Sequence, residues 1–327
     1  MSKRYFKVER KLVGIYIFDL ALTVRTGLLI RRPSKAQLSI GGADVWPMTI
    51  EKVYRCGSNE FKVEVPYVPG SSLKGRMRSL TELSLRVPLV TSDGKIFLHA
   101  RSIQAFKESF DKAAEEFYND VVKRCPVDEL FGYASFQYQQ LIKDKKLGFD
   151  PRKAQEIIEI SAITRLFVED LFPSTQYVCG LYNSLQRPPY LHDFLEEKSE
   201  NRVDRLTSAA DPRDMVRVKP GVEFSGSISL LVFDIDRDSC PGSSASNNTC
   251  LHRNLELLAG ALELVERLGL GAATTRGYGR VAITITNISY YKPFAGLRTI
   301  SSVNPPIRLV DLNRHIEQIA SVALTDK

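Results

Sequence analysis

Three basic side chains set into an apolar helix behind a Pro/Gly turn are the residues of this chain best suited to chemistry. They lie in Pro66-Tyr-Val-Pro-Gly-Ser-Ser-Leu-Lys-Gly-Arg-Met-Arg-Ser-Leu80. Gly70 suits a turn that opens a helix, and Ser71 or Ser72 is expected to cap it by accepting a bond from a free backbone N–H. The bare N–H groups of such an end attract an anion such as a phosphate. Lys74 and Arg78 are four residues apart, share one helix face and are expected to grip successive phosphates. Leu73, Met77 and Leu80 would then face the core. An ordinary capped helix with a solvated basic face is the competing reading.

A second candidate is Gly269-Leu-Gly-Ala-Ala-Thr-Thr-Arg-Gly-Tyr-Gly-Arg280. Its glycines allow a backbone to approach a ligand closely, with Arg276 and Arg280 for phosphate and Tyr278 for stacking on a base. A plain turn between helix and strand competes with this reading. The order helix, glycines, strand is wrong for a dinucleotide fingerprint, and GSSLKG lacks the spacing of a P-loop. His99, His192, His252 and His315 are scattered, and no His–Cys nucleophile pair can be argued from their positions.

The elements that must position these loops are readable from periodicity. Residues 12–24, 223–235 and 281–288 read as strands, and 254–268 as an amphipathic helix. The helix after Gly70 is expected to run to about Leu85, and 101–124 and 152–162 are further helix candidates. Residues 31–49 and 236–252 read as irregular, and 184–222 as a long loop or hairpin. Strand–helix appears once near each end. This predicts an α+β fold with a ferredoxin-like, RNA-recognition-motif-like core and large insertions. The expected parts are 1–90 for the first half of the core, 91–165 for an inserted helical subdomain, 166–222 for the return to the core and a thumb-like hairpin, 223–290 for the second half, and 291–327 for an extension.

Composition narrows the class. The chain has 327 residues, 43% hydrophobic and 25% charged, with a net charge of +7, a profile of soluble globular proteins. Residues 1–90 hold 16 Lys+Arg against 7 Asp+Glu, and the remainder 29 against 31. A basic surplus confined to one region is the electrostatic footprint of a nucleic-acid binder. No apolar run is long enough to span a membrane, and MSKRYFKVERK lacks a signal-peptide core. Five scattered cysteines argue against a disulfide framework, so the cytoplasm is the expected compartment.

Together, PYVPGSSLKGRMRSL and GLGAATTRGYGRV resemble the RAMP (repeat-associated mysterious protein) superfamily, and more narrowly the Csm-type backbone subunit of type III CRISPR effector complexes. Leu38-Ser-Ile-Gly-Gly-Ala-Asp44 is similar to the family's loop ending in the catalytic aspartate. Residues 202–213, with Arg205, resemble its thumb segment, and 216–224 the approach to the following strand. The resemblance implies a subunit that polymerises along CRISPR RNA beside other type III effector subunits and cuts complementary target RNA. Asp44 would be catalytic, with a divalent metal, Mg2+ or Mn2+. Ser71, Ser72, Lys74, Arg78, Arg205, Arg276, Tyr278 and Arg280 would contact RNA. A filament subunit that holds guide RNA without cutting is the alternative. A metal-independent processing endonuclease is the third reading, and no well-placed histidine supports it. Trp46 has two readings, stacking on RNA or anchoring the loop in the core, and anchoring is expected as the commoner role of a sole tryptophan.

The family often carries a zinc-binding insertion with a Cys-Pro-x-Cys pair before Leu-Phe-Gly. Here Cys125-Pro-Val-Asp-Glu-Leu-Phe-Gly132 has Asp128 in place of a cysteine. Cys125, Asp128 and His99 are chemically able to bind zinc, but structural zinc prefers thiolates, so a site departed from zinc binding is expected. Cys240, Cys250 and His252 form a second, weaker candidate.

Overall fold

The computed structural model describes residues 9–32, 45–89, 91, 94–97, 99, 118–119, 125–132, 151–161, 164–240, 249–300 and 305–325. Asp44, nearly all of the expected 101–124 helix and the Ser/Asn-rich stretch 241–248 lie outside the described residues.

Strand β1 (Leu12–Val24) is the centre of the molecule. Its alternation turns Tyr16, Phe18, Leu20, Leu22 and Val24 to the core, as a pleated strand requires. Hairpin β2 (Thr49–Cys56)/β3 (Asn59–Pro66) precedes helix α1 (Gly70–Ser84). Helices α2 (Pro126–Phe131) and α3 (Pro151–Ser161) fall in the inserted segment. Short strands β4 (Leu166–Val168) and β5 (Phe172–Pro173) then return to the sheet, followed by α4 (Thr175–Leu185). Hairpin β6 (Leu195–Val203)/β7 (Ala210–Val218) leads into β8 (Glu223–Phe233), α5 (Cys250–Leu268) and β9 (Val281–Lys292). The chain continues through β10 (Gly296–Thr299), β11 (Ile307–Arg308), α6 (Leu309–Leu312) and α7 (Ile316–Thr325).

The main sheet has the order β10-β9-β1-β8-β4, and β1 pairs antiparallel with both β8 and β9. With α1 between β1 and β4, and α5 between β8 and β9, this is the ferredoxin-like β-α-β-β-α-β arrangement. The expected fold class is therefore met, from topology alone. On α1, Leu73, Met77 and Leu80 recur at helical spacing, as do Leu251, Leu255, Leu258, Leu262 and Val265 on α5. Both stripes join the β1 face in one core. Helix α5 begins four residues before the expected start, because Thr249 Oγ1 accepts from the His252 N–H at 3.4 Å. Gly269, at φ 85°, ends it. The Tyr16 hydroxyl donates to the Ile319 carbonyl at 2.6 Å and accepts from the Ala323 N–H at 3.0 Å, pinning α7 to β1.

Two sequence expectations are corrected. The scattered cysteines do pair: Cys56 with Cys179 and Cys240 with Cys250, leaving Cys125 free and buried. Packing of the β2–β3 hairpin on α4 brings the first pair together across 123 residues, a separation at which sequence carries no pairing signal. The serine cap is also absent. Helix α1 starts at Gly70, and Pro69 stands at the cap position without a side-chain bond. The Gly70 N–H instead donates to Asp170 Oδ1 at 2.7 Å. A carboxylate from the segment between β4 and β5 is thus the anion at this helix start. No described helix is long and apolar enough to cross a membrane. Removing the cap by Asp170→Ala is expected to lower unfolding stability by about 1 kcal/mol, with Asp170→Asn closer to the parent, measured by urea titration.

Candidate nucleic-acid interface

The basic run of α1 faces inward. Lys74 Nζ donates to the Leu166 carbonyl of β4 at 2.8 Å, and burial followed by the nearby Arg78 charge lowers its pKa. Arg76 Nε donates to the Gly269 carbonyl at 2.9 Å, at the C-terminal end of α5, where a cation complements the helix dipole. Arg78 donates to Glu82 at 2.8 Å, to the Gly132 and His99 carbonyls at 2.8 Å each, and to Asp128 at 3.1 Å. Lys74 and Arg78 were expected to present an open face to phosphates; in the structure both are half-buried, with Lys74 Nζ bonded to one backbone carbonyl and the Arg78 guanidinium turned to internal oxygens. Ser71 is exposed and Ser72 half-buried at the helix start.

The glycine-rich loop packs on chain, and its glycines are required for that. A Cβ on Gly271, at φ 82°, would lie 2.5 Å from the Leu29 carbonyl, and one on Gly279, at φ 70°, 2.0 Å from the Leu270 carbonyl. Backbone bonds run from Ala272 N–H to Leu29 O at 2.8 Å, from Gly279 N–H to Gly27 O at 3.0 Å, and from Arg25 N–H to Arg280 O at 2.8 Å. Tyr278 is fully buried with Leu29 and Met215, and Val45, Ala272 and Ala273 pack against them. Lys198 Nζ lies 4.4 Å and the Arg217 guanidinium 4.7 Å from its ring centroid. Its expected role in base stacking is thereby corrected, since the ring has no exposed face. Burial and then Glu200 push its hydroxyl up to about 12. Burial opposes ionisation of Glu200, but Tyr278, Arg276 and Lys198 hold its carboxyl below the usual range.

What this packing leaves at the surface is a row of arginines. Arg276 is exposed and pairs with Glu200 of β6 at 3.0 Å. Arg280 is exposed beside Arg25, and Arg31 and Arg32 continue the same segment. Arg32 N–H donates to the Trp46 carbonyl at 3.0 Å, and Arg31 bridges Pro47. Arg25, Arg31 and Arg32 were not singled out from sequence. The only signal for them was the basic surplus of the first 90 residues. Trp46 is 38% exposed and so is no core anchor. The Val45 carbonyl accepts from Val216 N–H at 3.1 Å, which ties the residue following Asp44 to strand β7. Arg205 is exposed at the tip of the β6–β7 hairpin, beside Leu206, which is 96% exposed. Asp204 holds that tip by accepting from the N–H groups of Leu206 and Thr207 at 2.9 and 2.8 Å. Those bonds, Thr207 first, lower its pKa.

His99, Cys125 and Asp128 are buried and converge, with one donor atom of each within 4.8 Å of the others. His99 Nε2 lies 3.3 Å from Asp128 Oδ2 and 3.5 Å from Cys125 Sγ, while Nδ1 is 2.8 Å from the Pro88 carbonyl. Burial pulls the imidazole down, but bonds to Asp128 and Cys125, the Asp128 charge and the Pro88 carbonyl outweigh it and push it up to about 10. The second candidate has no free thiol, since Cys240 and Cys250 are bonded to each other, and His252 is held by Thr249 and Glu317 at 2.8 and 3.2 Å.

Because the Asp128 side chain is wholly buried beside Arg78, Arg78→Met is expected to lower stability by roughly 3 kcal/mol, since it removes one of the charged partners of Asp128 and the donor to the Gly132 and His99 carbonyls. Urea titration measures this. A loss under 1 kcal/mol, on the order of a surface ion pair, would mean that Arg78 is not an internal clamp.

The RAMP superfamily model matches residues 56–282. A Methanothermobacter thermautotrophicus protein named CRISPR system Cms endoribonuclease Csm3 is 28% identical over 307 residues, covering 92% of this chain and 98% of that protein. A Streptococcus thermophilus protein of the same name is 24% identical over 251 residues, covering 75% of this chain and 80% of its own. The crystal structure of Methanopyrus kandleri Csm3 matches with a TM-score of 0.48 and 22% identity, over 96% of this chain and 98% of that one. The family match takes in α1, the β6–β7 hairpin, the glycine-rich loop and well over half of the residues, and the chain belongs to the RAMP superfamily.

Proposed function

We propose that this chain is the RNA-binding backbone subunit of a type III CRISPR effector complex, that it binds CRISPR RNA beside copies of itself and other effector subunits, and that it cleaves complementary target RNA. The observation that carries the reading is the likeness to a named CRISPR-system endoribonuclease over 92% of the chain. The exposed arginine row supports it chemically, because guanidinium groups along an ordered backbone suit successive phosphates. Arg25, Arg31, Arg32, Arg276 and Arg280 take the phosphate-binding role first expected of Lys74 and Arg78. Arg205 contacts RNA from the hairpin tip, and Ser71 and Ser72 remain candidates at the start of α1.

Asp44 is the proposed catalyst. A carboxylate on a loop at an RNA groove can hold a divalent cation such as Mg2+ or Mn2+, or orient the ribose 2′-hydroxyl for in-line attack. When bound, the cation would neutralise charge developing on the phosphate. His99 and His252 are both engaged inside the protein, which gives the processing-endonuclease reading no support from them. In the assembled complex with guide and labelled complementary RNA, Asp44→Ala is expected to abolish cutting and leave guide binding intact. Cutting at the parental rate would mean that Asp44 is not the catalyst. Replacing Arg25 and Arg280 by Gln is expected to reduce the salt slope of guide affinity by about 0.7 per contact, and an unchanged slope removes these residues from the interface.

A site departed from zinc binding was expected from the missing cysteine, but the convergence of His99, Cys125 and Asp128 leads us to propose that this cluster holds a structural zinc ion. Donor spacings of 3.3 and 3.5 Å suit ligands around one small cation, and the Pro88 carbonyl at Nδ1 leaves Nε2 facing the centre. Zinc there would tie α2 to residue 99. Metal analysis of the purified protein is expected to find about one zinc per chain, lost in Cys125→Ala together with melting temperature. A metal-free chain whose melting ignores chelators would instead mean that a protonated His99 fills this role.

A further inference from the structure

The small cluster around Tyr278 is separate from the main core and joins three segments distant in sequence. Tyr278 comes from the glycine-rich loop, Met215 from β7, and Leu29 from the segment after β1. Val45 packs on the same cluster while its carbonyl accepts from Val216 N–H and it bridges Met215. The position of Val45 is therefore set in two ways: its backbone bonds to β7, and its side chain packs against the cluster that Met215 of β7 forms with Tyr278 and Leu29. Glycines on both sides of Tyr278 take positive φ, 84° at Gly277 and 70° at Gly279, turning the ring inward where a regular strand would not.

We propose that Tyr278 is a positioning residue for RNA cutting: its buried ring, clustered with Met215 and Leu29, holds Val45, and hence the exit of the loop that carries Asp44, against the β6–β7 hairpin. It acts through packing and touches no RNA. The two cations above the ring help to fix its orientation but are secondary to its packing in the cluster. This inference rests on the assignment of Asp44 as catalyst.

The test uses the assembled complex with guide and labelled complementary RNA. Tyr278→Ala is expected to reduce single-turnover cutting about a hundredfold, the scale of a misplacement of about 1 Å, with guide affinity reduced far less. Tyr278→Phe, which keeps the ring, is expected to restore the parental rate. Parental cutting by Tyr278→Ala would overturn the proposal, as would an equal loss of guide binding and cutting. Should Tyr278→Ala fail to assemble, Met215→Ala trims the same contact from the other side. Its expected signature is faster amide exchange at Val216 with α5 still protected, and unchanged Val216 protection would overturn the packing argument. Asp44→Ala in the same assay separates the two ideas. If it cuts like the parent, the catalytic assignment fails, whereas its loss of cutting beside a fully active Tyr278→Ala sinks the positioning role alone.

Discussion

Helix α1 carries Lys74, Arg76 and Arg78, and each is bonded to a different part of the chain. Lys74 reaches the β4 backbone, Arg76 the C-terminal end of α5, and Arg78 the Gly132 and His99 carbonyls and the buried Asp128. A buried carbonyl or carboxylate without a donor is costly, so these bonds fix how the insertion, the edge of the sheet and the second core helix meet. Asp170 completes the arrangement by occupying the N-terminal end of the same helix. Through its apolar stripe α1 is a core helix, and through its polar face it joins the pieces around that core.

The interface candidate depends on this indirectly. Arg76 holds the backbone where α5 gives way to the glycine-rich loop, and the loop then lies along residues 25–29 by backbone bonds. Glycines at 271 and 279 permit a separation that any Cβ would prevent. The exposed arginines are what remains outside once loop, hairpin and segment 45–48 have closed on Tyr278. Cations pointing outward from an ordered backbone are well placed for phosphates, since little ordering is left for binding to require.

Periodicity and chain order in the sequence were enough for the main elements. The spacing of Leu73, Met77 and Leu80, the alternation along β1, and strand–helix recurrence near both ends led to a ferredoxin-like core, because burial of one face imposes a period on the residues that form it. The site was less legible. Lys, Arg and Tyr flanked by glycines read as exposed ligands when only their neighbours in sequence are visible. The partners of Arg78 lie at residues 82, 99, 128 and 132, and no local pattern connects the last three to it.

The class of fold, the family resemblance and the concentration of positive charge in the first 90 residues are legible from chain order alone. Each follows from residue type and spacing along the chain. Packing of distant segments settles which cations face inward, the pairing of four of the five cysteines, and the burial of Tyr278 with Met215 and Leu29. Whether a polar side chain meets an internal oxygen or water depends on surfaces brought together from distant segments. Burial and long-range hydrogen bonding are properties of that assembly, which a reading of neighbouring residues does not contain.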